Sequence, residues 1–274
     1  MIDKVYNTGE TEEELKLCYN YEGSPLRNAQ KRMIEMLAFM DKICKENHIQ
    51  YFIAYGTLLG AVRHGGFIPW DDDMDVIMSD RDMVKFRKIV NEQAGRFVVQ
   101  NHKNDHGFLI HWNVLRDLNS EYVKDDVVHN MRKYRGVQID IFPYEYEVND
   151  HLREFLEKVT WHNEYEIAGK HRLISECIYY FQRLIINIAK IKAHKKTSTL
   201  SLGYENPWKL HYKVDDIFPL SSIEFEGLQV PCPHNVKAML ESDYGKNYMD
   251  LPDKSERNHH SVDRIVFFDD DLSN

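Results

Sequence analysis

The residues best equipped for chemistry lie in one run, Tyr55-Gly-Thr-Leu-Leu-Gly-Ala-Val-Arg-His-Gly-Gly-Phe-Ile-Pro-Trp-Asp-Asp-Asp-Met-Asp75. Acidic and apolar residues alternate from Asp73 to Met78, as in a half-buried strand. Asp73 and Asp75 then point the same way while Met74 and Val76 enter a core. Two carboxylates side by side repel, and a bound cation relieves the repulsion. Hard oxygen ligands aimed at one point suit Mg²⁺ or Mn²⁺ rather than zinc. Asp140, the acid inside the apolar run Val137-Gln-Ile-Asp-Ile-Phe-Pro143, is the candidate third member. The bland alternative is a solvated turn from Asp71 to Asp73. Acids without partners in an apolar strand are costly, which favours the metal site.

Gly56-Thr57 stands at a strand-to-helix junction ahead of Leu58. Free N–H groups at a helix N-terminus attract phosphate oxygens, and glycine permits close approach. Arg63 and His64 follow within two helical turns, either to meet a phosphate or to sit on a solvated helix end. His102 and His106 have i, i+4 spacing but lie in a turn-like stretch, so a zinc pair is not expected there. Trp70, Trp112 and Trp161 are candidates to cage a quaternary ammonium, with ordinary core packing as the alternative.

These groups need elements to hold them. Ser24-Pro25 caps an amphipathic helix from Leu26 to His48, and Tyr51 to Tyr55 reads as a buried strand. A short helix follows from Leu58 to His64, stopped by Gly65-Gly66. Asp73 to Met78 is the acid-bearing strand and Arg81 to Gln93 a helix. Arg96 to Gln100, Phe108 to Leu115 and Gly136 to Phe142 are further strands. Beyond a seam near residue 149 the reading turns helical, over His151 to Gly169, Leu173 to Lys196 and Asn235 to Tyr244, with a strand at Phe225 to Val230. The expected class is a mixed α/β fold, with a catalytic part over 1–149 and a mostly helical part over 150–274.

The 274 residues suffice for a full core, and 43% hydrophobic with 29% charged residues is a globular composition. Lys+Arg 35 against Asp+Glu 44 leaves a net charge of −9, which argues against nucleic acid as a partner. Mean hydropathy is −0.55, and no apolar run approaches the ~18–20 residues that cross a bilayer. The first 25 residues carry acids and no apolar core, so a secretory signal is not expected. Cys18, Cys44, Cys177 and Cys232 form no C-x-x-C pair and read as buried thiols of a reducing cytoplasm.

The run from Gly56 to Asp75 resembles the nucleotidyltransferase-fold superfamily and, more narrowly, the LicD family with its fukutin-like members. The resemblance continues through Ile139-Asp-Ile-Phe-Pro143, Phe225-Glu-Gly227, Tyr244-Gly-Lys-Asn-Tyr-Met249, Pro252, Arg257 and His259-His260. It implies a nucleotidyltransferase-like mixed sheet flanked by helices. It also implies transfer of phosphocholine from CDP-choline to a sugar hydroxyl of a teichoic acid precursor or lipooligosaccharide, with release of CMP. Matching positions imply metal ligands at Asp73, Asp75 and Asp140 and phosphate contacts at Gly56 and Thr57. Asp140 acts there as ligand, as general base, or as both. Arg257 and His259, in the polar stretch Pro252 to Ser261, read as a closing loop over donor or acceptor, or as an exposed tail.

Rival readings are a GT-A glycosyltransferase, another nucleotidyltransferase, and an inactive binding module of a membrane assembly. The spacing from Gly56 to Asp73 is short for the first, and the intact carboxylates argue against the last. One more segment stands out. From Cys177 to Tyr204 there is no Asp or Glu, while Arg183, Lys190, Lys192, Lys195 and Lys196 accompany many apolar residues. Residues 178–196 are either a central core helix or a contact with the anionic inner face of a membrane, the latter suiting a lipid-linked acceptor.

Overall fold

The computed structural model describes residues 4–146, 148–192, 198–206, 208–257 and 264–268. Its elements run α1 (Glu12–Tyr19), α2 (Pro25–Glu46), β1 (Tyr51–Ile53), α3 (Tyr55–His64), β2 (Asp75–Ser79), α4 (Asp80–Glu92), β3 (Phe97–Gln100) and β4 (Asn113–Asp117). Then come β5 (Ser120–Val123), α5 (Val127–Met131), β6 (Gln138–Tyr146), α6 (Asp150–His162), a π-helical turn (Asn163–Ile167) and α7 (Arg172–Lys192). The chain continues with β7 (Thr199–Leu202), β8 (His211–Lys213), α8 (Val214–Ile217), β9 (Ser221–Phe225), β10 (Leu228–Cys232), α9 (Val236–Tyr244) and β11 (Arg264–Phe267).

Five strands form the central sheet in the order β1-β2-β6-β4-β3, and β7 with β8 extends it along the far half of β6. β2 and β6 are parallel; the other pairs are antiparallel. Helix α2 forms because Ser24 caps it, its hydroxyl accepting from Arg27 N at 3.1 Å, with Pro25 in the first turn. Its helical-period stripe of Ala29, Met33, Met36, Leu37, Met40 and Cys44 is buried with the sheet residues Phe52, Val76, Ile77 and Ile139 in one core. The fold is the mixed α/β arrangement expected.

Several expectations shift. Helix α3 starts at Tyr55, inside the stretch read as strand, because Tyr55 adopts φ 48° and turns the chain at once. β2 starts only at Asp75, so Asp73 lies in the coil before it. Residues 108–112 are irregular, and β4 begins at Asn113. Phe225 to Val230 is the tip of the β9–β10 hairpin rather than one strand, with Glu226 (φ 50°) and Gly227 (φ 80°) making a two-residue turn. Beyond residue 149, α6 and α7 appear as expected, but β7 and β8 then return to the central sheet, so pairing crosses the seam. Cys44 and Cys232 are buried; Cys18 and Cys177, expected buried, are exposed. Among the described residues no helix is long and apolar enough to cross a membrane.

Candidate active site

The parallel register of β2 and β6 sets Asp75 opposite Asp140, and Asp140 N donates to Met74 O at 2.8 Å. Both acids line a cavity of about 520 Å³, together with Asp71, Asp72, Asp73 and Asp243. Asp73 reaches it from the turn after Trp70 and not by strand alternation, since β2 has not yet begun there. Asp75 is locked at its backbone: its N–H donates to Thr57 Oγ1 at 2.9 Å, and its carbonyl accepts from Ala54 N at 3.1 Å. Asp140 is locked at its side chain. Oδ1 accepts from Trp112 Nε1 at 3.0 Å and Oδ2 from Gln138 Nε2 at 2.8 Å.

Desolvation, reinforced by the charges of Asp73, Asp140 and Asp71, pushes the Asp75 carboxyl well above its ordinary range. Desolvation also raises Asp140, against the Trp112 hydrogen bond and the nearby charge of Arg116. Asp243, on α9, is pushed up to about 6 by burial, although Tyr212 donates to its Oδ1 at 2.7 Å. Carboxylates this uncomfortable as anions are stabilised by a proton or a cation. The all-oxygen donor set fits a hard divalent ion.

Gly56 lines the cavity in the first turn of α3, and a Cβ there would stand 2.7 Å from Asp71 Oδ2. A side chain at position 56 would therefore displace the Asp71 carboxylate that packs against this N-terminus. Thr57 is 2% exposed and does not line the cavity; its hydroxyl serves Asp75 instead. Arg63, His64 and Arg257 also stand away from the cavity, and they are neither on a solvated helix end nor on an exposed tail. Arg63 Nη1 donates to the carbonyls of Tyr248 and Asp250, both at 3.1 Å. His64 Nε2 accepts from Arg63 Nε at 2.9 Å, so its Nδ1 faces Glu12 Oε2 at 2.7 Å as donor. Arg257 forks onto Glu10 at 2.7 and 3.1 Å and stacks over Trp70 at 4.9 Å. Together they clamp the N-terminal segment and the 248–257 segment behind Trp70, which begins the acidic turn. His259 and His260 lie outside the described residues.

Much of the cavity went unread in the sequence. One wall is cationic, with Arg116, Lys124 and Arg132, beside His129, whose imidazole burial and those neighbouring charges hold toward the neutral form. Another is aromatic, where Trp208 packs on Tyr55 (5.7 Å) and Phe142 (5.5 Å), and Trp112 on Phe142 (5.4 Å). Lys124 follows β5, His129 lies in α5 and Arg132 follows that helix, in a stretch to which the sequence analysis assigns no element. Trp208 sits between strands with no pattern to mark it. Of the tryptophans singled out for an ammonium cage, only Trp112 reaches the cavity. Trp70 packs on His64 and Tyr19, and Trp161 stacks in solvent on Tyr165.

Of the basic residues singled out on α7, Arg183 and Lys190 turn inward. Lys190 is buried on Glu205 (2.6 Å), Asp80 (3.1 Å) and Glu145 (3.2 Å), and Arg183 reaches Glu205 at 3.1 Å. Burial works against the Lys190 charge, but those three acids outweigh it and raise its pKa. Lys195 and Lys196 lie outside the described residues.

Residues 48–171 match the family described as LicD/FKTN/FKRP, nucleotidyltransferase domain, and so contain α3, β2 and β6 with Asp73, Asp75 and Asp140. A lipopolysaccharide cholinephosphotransferase LicD of Haemophilus influenzae is 43% identical over 61 residues, 22% of this chain and 23% of that protein. An uncharacterised protein of Rickettsia prowazekii is 30% identical over 132 residues, 40% and 48% of the two chains. A ribitol 5-phosphate transferase FKRP of Mus musculus is 28% identical over 104 residues, 38% and 15%. The matches thus span less than half the length of each of these relatives. Residues 48–171 thus carry the match to the LicD/FKTN/FKRP nucleotidyltransferase domain, and Asp73, Asp75 and Asp140 of that stretch line the cavity.

Proposed function

We propose that this protein is a metal-dependent phosphotransferase that moves phosphocholine from CDP-choline to a sugar hydroxyl of a cell-surface glycan precursor and releases CMP. The observation that carries the reading is one cavity that joins paired acids, a helix N-terminus, a cationic wall and an aromatic wall. The relatives named for cholinephosphate and ribitol phosphate transfer support the reaction class. Asp73, Asp75 and Asp140 would hold Mg²⁺ or Mn²⁺, which when bound neutralises charge on the donor phosphates.

The protein's own share is positioning and electrostatics. The N–H groups at Gly56 with Lys124 and Arg132 receive phosphate oxygens. Trp112, Trp208 and Tyr55 offer π faces to a quaternary ammonium. The sugar oxygen bonds to the phosphorus that carries choline, and the bond from that phosphorus to the CMP oxygen breaks. Asp140, both of whose oxygens are engaged, suits metal holding. Asp243, poised near 6, suits taking the hydroxyl proton. Asp243→Asn should cut turnover by about 100-fold and abolish a rise in rate through pH ~6; an unchanged pH profile would exclude that role.

The test of the whole reading is CMP release from the purified chain with Mg²⁺ and CDP-choline, with CDP-ethanolamine, CDP-ribitol and UDP-sugars in parallel. EDTA, Asp75→Asn and Asp140→Asn should each silence it. Release of pyrophosphate, or turnover of UDP-sugars alone, would replace it with one of the rivals. A cytoplasmic enzyme touching the inner membrane face fits a lipid-linked acceptor. The support for such contact is the solvent face of α7, where Leu173, Phe181, Leu184 and Ile191 are exposed.

A further inference from the structure

His102 and His106 lie outside the cavity, on the loop between β3 and β4. There Asp105 N donates to Asn101 O at 3.0 Å and Phe108 N to Asp105 O at 3.0 Å. The first of these is an i to i+4 closure, one helix-like turn, so residues 102 and 106 fall on the same side, their rings 5.2 Å apart. Glu176 of α7 meets both: Oε2 is 2.8 Å from His102 Nε2, and Oε1 is 3.0 Å from His106 Nδ1. The sequence reading dismissed the pair as turn residues and had no means of seeing Glu176 across from them. One ligand atom from each of the three lies within 4.8 Å of the other two.

The surroundings of His102 narrow what this group does. Its ring is 1% exposed and packs on Tyr179 at 3.8 Å, so it cannot swing to another partner. Its Nδ1 lies 3.1 Å from the carbonyl oxygen of Phe108, which only accepts, so Nδ1 carries a hydrogen. With Nδ1 protonated, Nε2 can face the carboxylate oxygen favourably in two ways: as the second N–H of an imidazolium, or with a metal cation between them. A backbone carbonyl behind the far nitrogen is how metal-bound histidines are commonly oriented. Zinc bonds of about 2.0–2.2 Å place tetrahedral ligand atoms roughly 3.3 Å apart, so the 2.8 and 3.0 Å contacts would open slightly while the three ligand atoms, now within 4.8 Å, draw together.

We propose that His102, His106 and Glu176 form a second metal site, for Zn²⁺ or a similar borderline divalent ion, which ties the 101–108 loop to α7. Two imidazoles and a carboxylate suit that class of ion and not Mg²⁺, so the site is chemically separate from the acid cavity. Three protein ligands leave a fourth position for water. It opens toward a cavity of about 410 Å³ that His106 and Glu176 line with Lys133, Arg172 and Ser175. The same loop runs on to Trp112, whose indole holds Asp140, so the ion would stiffen the segment that carries this contact.

The test uses the full chain carrying Asp75→Asn and Asp140→Asn, so that ions cannot report from the cavity and the result does not depend on the proposed transfer. After chelator treatment the protein is titrated with Zn²⁺ by calorimetry and with Co²⁺ by visible absorption. One ion should bind per chain, Co²⁺ should give the intense visible bands of a four-coordinate site, and excess Zn²⁺ should raise Tm by roughly 5 °C. Adding His106→Ala, at a half-exposed position that folding tolerates, or Glu176→Gln should weaken binding by about 100-fold and remove the bands. Zn²⁺ binding unchanged by both substitutions would overturn the site. So would failure to bind Zn²⁺ at all, which would leave an imidazolium–carboxylate ion pair only.

Discussion

At the scale of single residues, the cavity depends on hydrogen bonds to its acids as much as on the acids. Thr57 shows this best, because its hydroxyl is the acceptor for Asp75 N while its side chain is buried. Thr57→Val keeps the shape and leaves that N–H without its partner, a loss of about 1–3 kcal/mol. Transfer should fall about 10–100-fold. Thr57→Ser, which keeps the oxygen, should stay within a few-fold of the wild type. Steady-state CMP release with Tm for each variant checks this, and equal activity for Val and Ser would remove the hydroxyl from the argument.

At the scale of elements, two placements carry consequences. Arg257 joins the 254–257 turn to the segment before α1 by a bidentate bond to Glu10, with its guanidinium over Trp70. Arg257→Ala should lower Tm by roughly 5 °C. Arg257→Lys should recover only part of it, because an ammonium cannot fork or stack as a guanidinium does. Helix α7 is the other. Gln182 and Ile186 are buried, while Leu173, Phe181, Leu184 and Ile191 face solvent. Flotation with anionic liposomes should carry the wild type upward, and Phe181→Ser with Leu184→Ser and Ile191→Ser should abolish it. Lys190→Gln is unsuitable as the test, since that ammonium is held by Glu205, Asp80 and Glu145. Equal behaviour of wild type and triple variant would leave this face without a lipid role.

At the scale of the molecule, two sets of carboxylates pull stability in opposite directions with pH. Arg257 hydrogen-bonds Glu10 and holds its pKa down at about 2. That contribution is present above the ordinary carboxylate range and is lost as pH falls toward 2. Asp75, Asp140 and Asp243 are raised, so the native state binds more protons than the unfolded chain above pH ~4. Their contribution is complete below pH ~4 and is lost as pH rises, through about 6 for Asp243. In EDTA, Tm should therefore decline from pH ~4 to beyond 6, and Asp75→Asn should raise Tm at pH 7. Saturating Mg²⁺ should flatten the decline by binding the native state alone. Melting curves over pH 3–8 with and without Mg²⁺ decide it, and a wild type indifferent to Mg²⁺ at pH 7 would remove the cation from the cavity.

What the sequence determined by itself was local. Ser24-Pro25, Asn235 and Gly65 set helix ends because caps act within a turn, and a 3.6-residue stripe identifies α2 as a core helix. Asp75 and Asp140 were legible because an acid in an apolar strand stands out wherever the strand is placed. Tertiary structure decided what depends on residues far apart in the chain. It moved Arg63, His64 and Arg257 from the ligand to a clamp behind Trp70, through partners as distant as 247 positions. It also drew Lys124, Arg132, Trp208 and Asp243 into one cavity, turned Lys190 inward, and set Glu176 against two histidines 70 and 74 positions earlier. Periodicity reports which face of an element is apolar; which charged or aromatic group meets which is settled only when the elements pack.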